Sequence, residues 1–215
     1  MARSIASRSA TAVFAIAALL IGAALPYDAC ADGFLGIDHR VPYDDSGIWS
    51  RSSQNVVRYG LVAGALAAGL WQGADDRLGR ASWQAVDAAA AGGLISEAGK
   101  RVFTRSRPIQ SPDPNLWFQG SGHYSFPSTE VTVTAAVVTP YILEYGKDHP
   151  AVYAAALLPI YDAVARVKVQ AHWQTDVLAS LALGGVAGYV AHGRDNPFIV
   201  GLLPHGVSVG LSHQF

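Results

Sequence analysis

Residues 166–176 read Arg-Val-Lys-Val-Gln-Ala-His-Trp-Gln-Thr-Asp and hold three side chains whose types and spacing suit phosphate chemistry. His172 and Asp176 stand four residues apart, so on a helix the carboxylate lies one turn from the imidazole and holds it in one tautomer. An imidazole oriented in this way is a nucleophile or a base. Arg166 keeps its charge at any working pH, and its planar fork of donors matches the oxygens of a tetrahedral anion. A His-x-x-x-Asp pair alone is more often a solvated or self-satisfied feature of a helix face. What accompanies it therefore decides the reading.

Two further stretches accompany it. Residues 100–108 read Lys-Arg-Val-Phe-Thr-Arg-Ser-Arg-Pro, with six residues between Lys100 and the Arg107-Pro108 pair, and residues 125–128 read Ser-Phe-Pro-Ser. In this order the three blocks resemble the type 2 phosphatidic acid phosphatase superfamily, which also contains bacterial class A acid phosphatases and vanadium haloperoxidases. The family pattern is K-x6-RP, then PSGH, then SR-x5-H-x3-D. The first block matches at Lys100, Arg107 and Pro108, and the third at Arg166, His172 and Asp176, with Ala165 where Ser is usual. The second keeps Pro127 and Ser128, but Thr129 replaces Gly and Glu130 replaces His. The resemblance spans residues 55–195.

The resemblance implies a role for each matched residue. His172 attacks phosphorus and becomes a phosphohistidine, with Asp176 fixing the ring and stabilising the cation that forms. Lys100, Arg107 and Arg166 neutralise the phosphoryl oxygens, and Ser128 and Thr129, at a helix start, complete the phosphate-binding set. No metal is expected, because three cations take the part a Mg²⁺ would play. The departure at Glu130 leaves the proton donor for the leaving oxygen open between Glu130 itself and His123, in Ser-Gly-His on the preceding loop. For each there is also a structural reading: a first-turn Glu favouring the helix dipole, and an exposed loop His. Arg101 and Arg105 fall inside the variable six residues of the first block and are expected to matter less than Arg166.

The elements that position these residues read as all-α. Residues 1–31 carry Arg3 and Arg8, an uncharged apolar run over 12–25, and Ala29-Cys30-Ala31, the layout of a secretory signal peptide cleaved after Ala31. Tyr27 and Asp28 ahead of Cys30 argue against lipidation. Loss of this segment turns 15 basic and 16 acidic residues into 13 and 15 and removes the single cysteine, so neither nucleic-acid binding nor disulfides are expected. Residues 32–55 form a polar N-terminal arm, whose Asp44-Asp45 pair lacks the spacing of a calcium loop. Residues 56–196 form the phosphatase-like domain. Its first helix covers 56–71 and ends near Gly73, and its second runs from an N-cap at Ser82 to about Phe103. A long loop over 107–126 carries Trp117, Phe118 and Tyr124, either as a lid or as packing against the bundle. Ser128 caps a third helix reaching Tyr145 with Pro140 inside it. A fourth runs from Pro150 toward Val167 with a kink at Pro159, and a fifth from near His172 to Ala191.

This is a helical bundle of five or more helices, followed by a C-terminal β-hairpin over 197–215. The apolar runs are about 13 to 16 residues, against about 20 for a membrane span. A soluble or peripheral periplasmic protein is expected. Three functions remain open: a metal-independent phosphatase acting on a lipid or small organic phosphate, a non-catalytic phosphate- or lipid-binding relative, and a haloperoxidase holding vanadate on His172.

Overall fold

The computed structural model describes residue 33, residues 36–194 and, as backbone, residues 200–203 and 206–209. The expected signal peptide, its cleavage site and Cys30 lie outside the described residues. Five α-helices make the bundle: α1 Arg51–Gln72, α2 Arg77–Phe103, α3 Thr129–Tyr145, α4 Leu157–Lys168 and α5 Gln174–His192. Backbone strands β1 Val200–Leu203 and β2 Gly206–Val209 pair antiparallel, with Val200 opposite Val209.

Helix α3 is the central element, packed on α5, α2, α4 and α1. Its sequence is apolar on nearly every side, as a helix surrounded by others must be. Val131, Ala135, Val137 and Val138 are buried, and two clusters flank them: Val164, Val167, Val177 and Leu181 toward α4 and α5, Ala65, Ala85 and Ala89 toward α1 and α2. Small side chains bring α3 and α5 close together. A Cβ on Gly184 would stand 2.3 Å from the Thr132 carbonyl oxygen, and one on Gly188 2.5 Å from Thr139 Cβ.

Several element boundaries differ from the sequence reading, each for a local reason. Helix α1 starts at Arg51, not near 56, because Ser50 caps it by accepting from the Ser53 N–H. Helix α2 starts at Arg77, capped by Asp76, whose carboxylate accepts from the Leu78 N–H at 2.8 Å. Ser82 is thus inside α2, buried, donating to the Leu78 carbonyl and accepting from the Tyr141 hydroxyl. Helix α3 continues through Pro140. The Pro150 segment is a 3₁₀ turn, Pro150–Ala156, that passes into α4 at Leu157. Pro159 then falls in the first turn of α4, where its missing N–H leaves no bond unmade, so no kink is needed there.

The arm is not a loose lead-in. Val41 is 2% exposed in the core beside Val131 and Val164. The Asp44 N–H donates to the Lys168 carbonyl, and the Gln170 side chain donates to the Val41 carbonyl at 2.6 Å. Among the described residues one segment, Pro150–Lys168, is long and apolar enough to cross a membrane by length and composition, with mean hydropathy 1.2. Part of it is buried against α3.

The close α3–α5 crossing generates the first prediction. Gly184→Ala should destabilise the protein by about 1 to 3 kcal/mol through overpacking, read by urea or thermal unfolding. Gly64→Ala, on the open face of α1 with nothing within 4 Å of the new Cβ, should instead stabilise by about 0.5 to 1 kcal/mol.

Candidate active site

Helix α4 ends at Lys168, Gln170 takes a left-handed turn at φ 51°, and α5 begins at Gln174. His172 therefore stands in the turn between two helices, not on one. Its Nδ1 lies 2.5 Å from the Ser125 carbonyl oxygen and 3.9 Å from Asp176 Oδ2. A carbonyl only accepts, so Nδ1 carries the proton and Nε2 is the lone-pair nitrogen. The expected one-turn His172–Asp176 pairing is replaced by a backbone carbonyl that fixes the tautomer. Asp176 remains the nearby charge.

Asp176 is fully buried and has partners of its own. Its carboxylate accepts from the Arg105 guanidinium, the Ser125 hydroxyl and, at 3.0 Å, the Trp173 N–H. The last contact is an N-terminal helix cap made by an acid in the first turn, favoured by the helix dipole. Burial still pushes the Asp176 carboxyl up, against the pull of Arg105 and Ser125. Because Ser125 gives its hydroxyl to Asp176 and its carbonyl to His172, one residue sets both groups.

Arg105, expected to matter less than Arg166, is fully buried. Its side chain is 0% exposed, donates to Asp38 Oδ2 at 2.6 Å, to Asp176 and to the Pro114 carbonyl, and lies 4.4 Å from the Trp117 ring centroid. Asp38 also accepts from the Thr175 N–H and hydroxyl. The result is one buried cation between two carboxylates, joining the arm, the loop and α5.

Lys100, Arg107 and Arg166 come together around His172. Burial pushes His172 well below its ordinary value, and the charges of Arg166, Lys100 and Arg107 push it further, so the ring is neutral. Burial first and Arg107 second press the Lys100 ammonium down to about 8, and burial presses Arg166 to about 10. Both shifts come first from burial, which disfavours the charged form, and the neighbouring cations add to it. Ser128 Oγ and Arg166 Nε are buried and have no partner among the described residues. Ser128 makes no side-chain cap, so the first-turn amides of α3 are not capped by it either. An acceptor-rich anion satisfies all of these donors.

Two expected site residues are placed otherwise. The Thr129 hydroxyl is engaged by Glu97, donating to its Oε1 at 2.7 Å. The Glu130 carboxylate is taken by arginines, with both Arg51 terminal nitrogens at 2.6 Å, Arg58 at 3.2 Å and Arg166 at 3.5 Å. Burial pushes the Glu130 carboxyl up, but the Arg51 hydrogen bonds and the Arg166, Arg51 and Arg58 charges outweigh it and hold it below its ordinary value. His123 is half-buried, with Nδ1 2.9 Å from the Ser106 hydroxyl. The Ser106 carbonyl accepts from Trp173 Nε1, next to His172.

The long loop is fastened rather than free. The Ser125 N–H donates to the Arg105 carbonyl, the Ser106 N–H to the Leu116 carbonyl and the Phe118 N–H to the Phe103 carbonyl. Trp117 packs edge-on against Phe103 and Phe126, so the packing alternative holds for it, whereas Phe118 is 70% exposed.

His172 is thus a buried neutral histidine beside three motif cations. The pattern described as "PAP2 superfamily" matches residues 81–196, more than half of the chain. The chain belongs to the PAP2 superfamily. Every matched motif residue, from Lys100 to Asp176, lies inside the PAP2 match. A lipid A 1-phosphatase of Rhizobium etli is 34% identical over 98 residues, covering 43% of this chain and 41% of that protein. The chain thus spans about two-fifths of that PAP2 relative's length. No solved structure matches the chain. Asp38, Arg51, Gln54 and Arg58, all in contact with motif residues or their partners, stand outside the PAP2 match.

Two predictions follow from the charges. Arg105→Met should cost about 3 to 5 kcal/mol of unfolding free energy, because it strands two buried carboxylates, whereas Arg101→Ala, on the exposed side of α2, should cost less than about 1. Chemical denaturation distinguishes them. The Lys100 ammonium is pressed down to about 8, so vanadate or phosphate binding should weaken as pH rises above that value, when the ammonium loses its charge. The slope should be no more than about tenfold per pH unit. Lys100→Arg, charged throughout, should flatten it. Binding titrations between pH 7 and 10 test this.

Proposed function

We propose that the protein is a metal-independent phosphatase that removes phosphate from a lipid phosphate monoester through a phosphohistidine on His172. The observation that carries this reading is the Nδ1–carbonyl contact, which leaves Nε2 of a neutral imidazole as the lone pair amid Lys100, Arg107 and Arg166. In the first step Nε2 bonds to phosphorus and the bond to the leaving oxygen breaks. The three cations and Ser128 hold the equatorial oxygens as charge spreads over them. The imidazolium so formed keeps its Nδ1–H on the Ser125 carbonyl and is stabilised by the Asp176 charge 3.9 Å away. Water then attacks phosphorus and gives a proton to the group that protonated the leaving oxygen, the N–P bond breaks with its electron pair returning to Nε2, and inorganic phosphate leaves.

We assign the proton for the leaving oxygen to His123. Glu130, doubly bonded by Arg51 and held below its ordinary value, is an anion and has no proton to give. His123 faces the Ser106 hydroxyl through one nitrogen and keeps the other for the substrate.

A lipid substrate is supported by the lipid A 1-phosphatase relative and by the surface. Trp71 is 87% exposed, and with Val56, Tyr59 and Leu70 it forms an apolar face on α1, joined by Leu94 and Val102 on α2. Faces of this kind mark contact with another apolar phase, here the membrane that holds the substrate. An apolar cavity of about 720 Å³, lined in part by Trp117, Phe126 and Leu178, lies against the loop and the start of α5 and has room for acyl chain. Membrane association on the periplasmic side, after export by the residue 1–31 segment, fits this reading.

Phosphate release from lipid and soluble phosphates by the purified protein tests the proposal. His172→Ala should abolish release while leaving vanadate binding intact, and acid quench of the wild type with ³²P-labelled substrate should trap a labelled histidine. His123→Ala should slow an alkyl or lipid phosphate by about 10² to 10⁴ and spare p-nitrophenyl phosphate, whose leaving group needs no proton. Wild-type protein that binds phosphate tightly but turns over neither ester would instead be a phosphate-binding relative.

A further inference from the structure

Glu130 sits at the position where the family pattern carries its histidine, and this chain surrounds it with cations from two further places. Arg51 and Arg58, on α1, and Arg166, on α4, all reach its carboxylate, within 2.6, 3.2 and 3.5 Å. Lys100 and Arg107 also feel its charge. The pocket thus holds five cations, three of them arginines in contact with the Glu130 carboxylate, which is 13% exposed, while Glu97 lies 3.9 Å from Lys100 at its edge. Arg166 is divided: Nη1 donates to Gln54 Oε1 at 3.0 Å and stands 3.5 Å from Glu130, while its Nε has no partner among the described residues.

Carboxylate and phosphate are bound by the same guanidinium fork. Three motif cations suffice for a phosphoryl dianion. Five with no internal anion would hold the inorganic phosphate product as firmly as the transition state, and binding common to both states does not speed turnover. Resting on the phosphatase reading above, we propose that Glu130 is a positioning residue: a built-in counter-anion that competes with the phosphoryl group for Arg166 and sets how tightly phosphate is held and how fast it leaves. Arg51 and Arg58 are its holders, keeping the carboxylate close to Arg166 without letting it fill the site. Two other carboxyls lie close to this group: Glu97, which stands 3.9 Å from Lys100 and accepts from the Thr129 hydroxyl, and Asp162, one turn before Arg166 on α4, which is buried and accepts from the Thr134 hydroxyl at 3.2 Å, with its second oxygen unpartnered. Glu130 is therefore the carboxylate in direct contact with the arginines.

The test is Glu130→Gln, which keeps the shape and removes the charge. Affinity for inorganic phosphate, measured by calorimetry without any turnover, should rise by about ten- to a hundredfold, the range for one unit charge a few ångströms away at intermediate dielectric. On a lipid phosphate, kcat and KM should fall together, as product release becomes limiting. Glu130→Asp should stay near wild type. The double variant Glu130→Gln with Arg51→Gln restores the net charge and should return phosphate affinity to within about threefold of wild type, and it serves if the single variant folds poorly. Unchanged phosphate affinity in a folded Glu130→Gln protein overturns the proposal. So does a loss confined to alkyl esters with phosphate affinity unmoved, which would make Glu130 the proton donor. Tightened phosphate binding in a protein with no turnover at all would keep the counter-anion and remove the phosphatase reading.

Discussion

A carboxylate with no access to water stays ionised only if the fold brings enough donors to it, and Asp176 is the group for which this fold does so. Arg105, the Ser125 hydroxyl and the Trp173 N–H converge on its two oxygens from the segment after α2, the segment before α3 and the turn before α5. Each of those segments carries site residues. Arg105 is two residues from Arg107, Ser125 three from Ser128, and Trp173 adjoins His172. Satisfying one buried charge therefore sets the relative positions of His172, Arg107 and the start of α3. The cost of burying Arg105 and Asp176 is offset only because Asp38 and the Pro114 carbonyl complete the donors' partners.

The site is also a study in unequal charge. Around His172 burial first, and Arg107 second, bring the Lys100 ammonium down to about 8. Glycines on α5 let its backbone approach α3 where a Cβ would collide, so these two helices touch through main chain.

Motif spacing made one half of this arrangement legible: Arg166, Lys100 and Arg107 stand close enough to His172 for their charges to act on it. The second half was written in the sequence less openly. Arg51, Gln54, Asn55 and Arg58 recur at i, i+3, i+4 and i+7, a polar stripe on a helix otherwise apolar, but a stripe beside an alanine-rich run reads as the end of an arm. The Asp176 partner was hidden by geometry. Spacing by four places two side chains together only if both are helical, and His172 stands one residue before the cap of α5. Arg105 could not be told from Arg101 by type or by spacing, since burial is decided by which way the chain turns at Thr104, where φ is 35°.

That Asp38 closes the Arg105 site separates two boundaries that are easily equated. The stretch of sequence shared with relatives begins at residue 81, whereas the cooperative unit of this chain begins no later than Asp38, and Val41 and the Asp44 N–H tie it on further. A protein trimmed to the shared stretch would keep all of its motif residues and yet lose the carboxylate, the helix and the arginines that hold them in register. Homology marks where the chemistry was inherited, and the arm marks where this particular chain learned to fold around it.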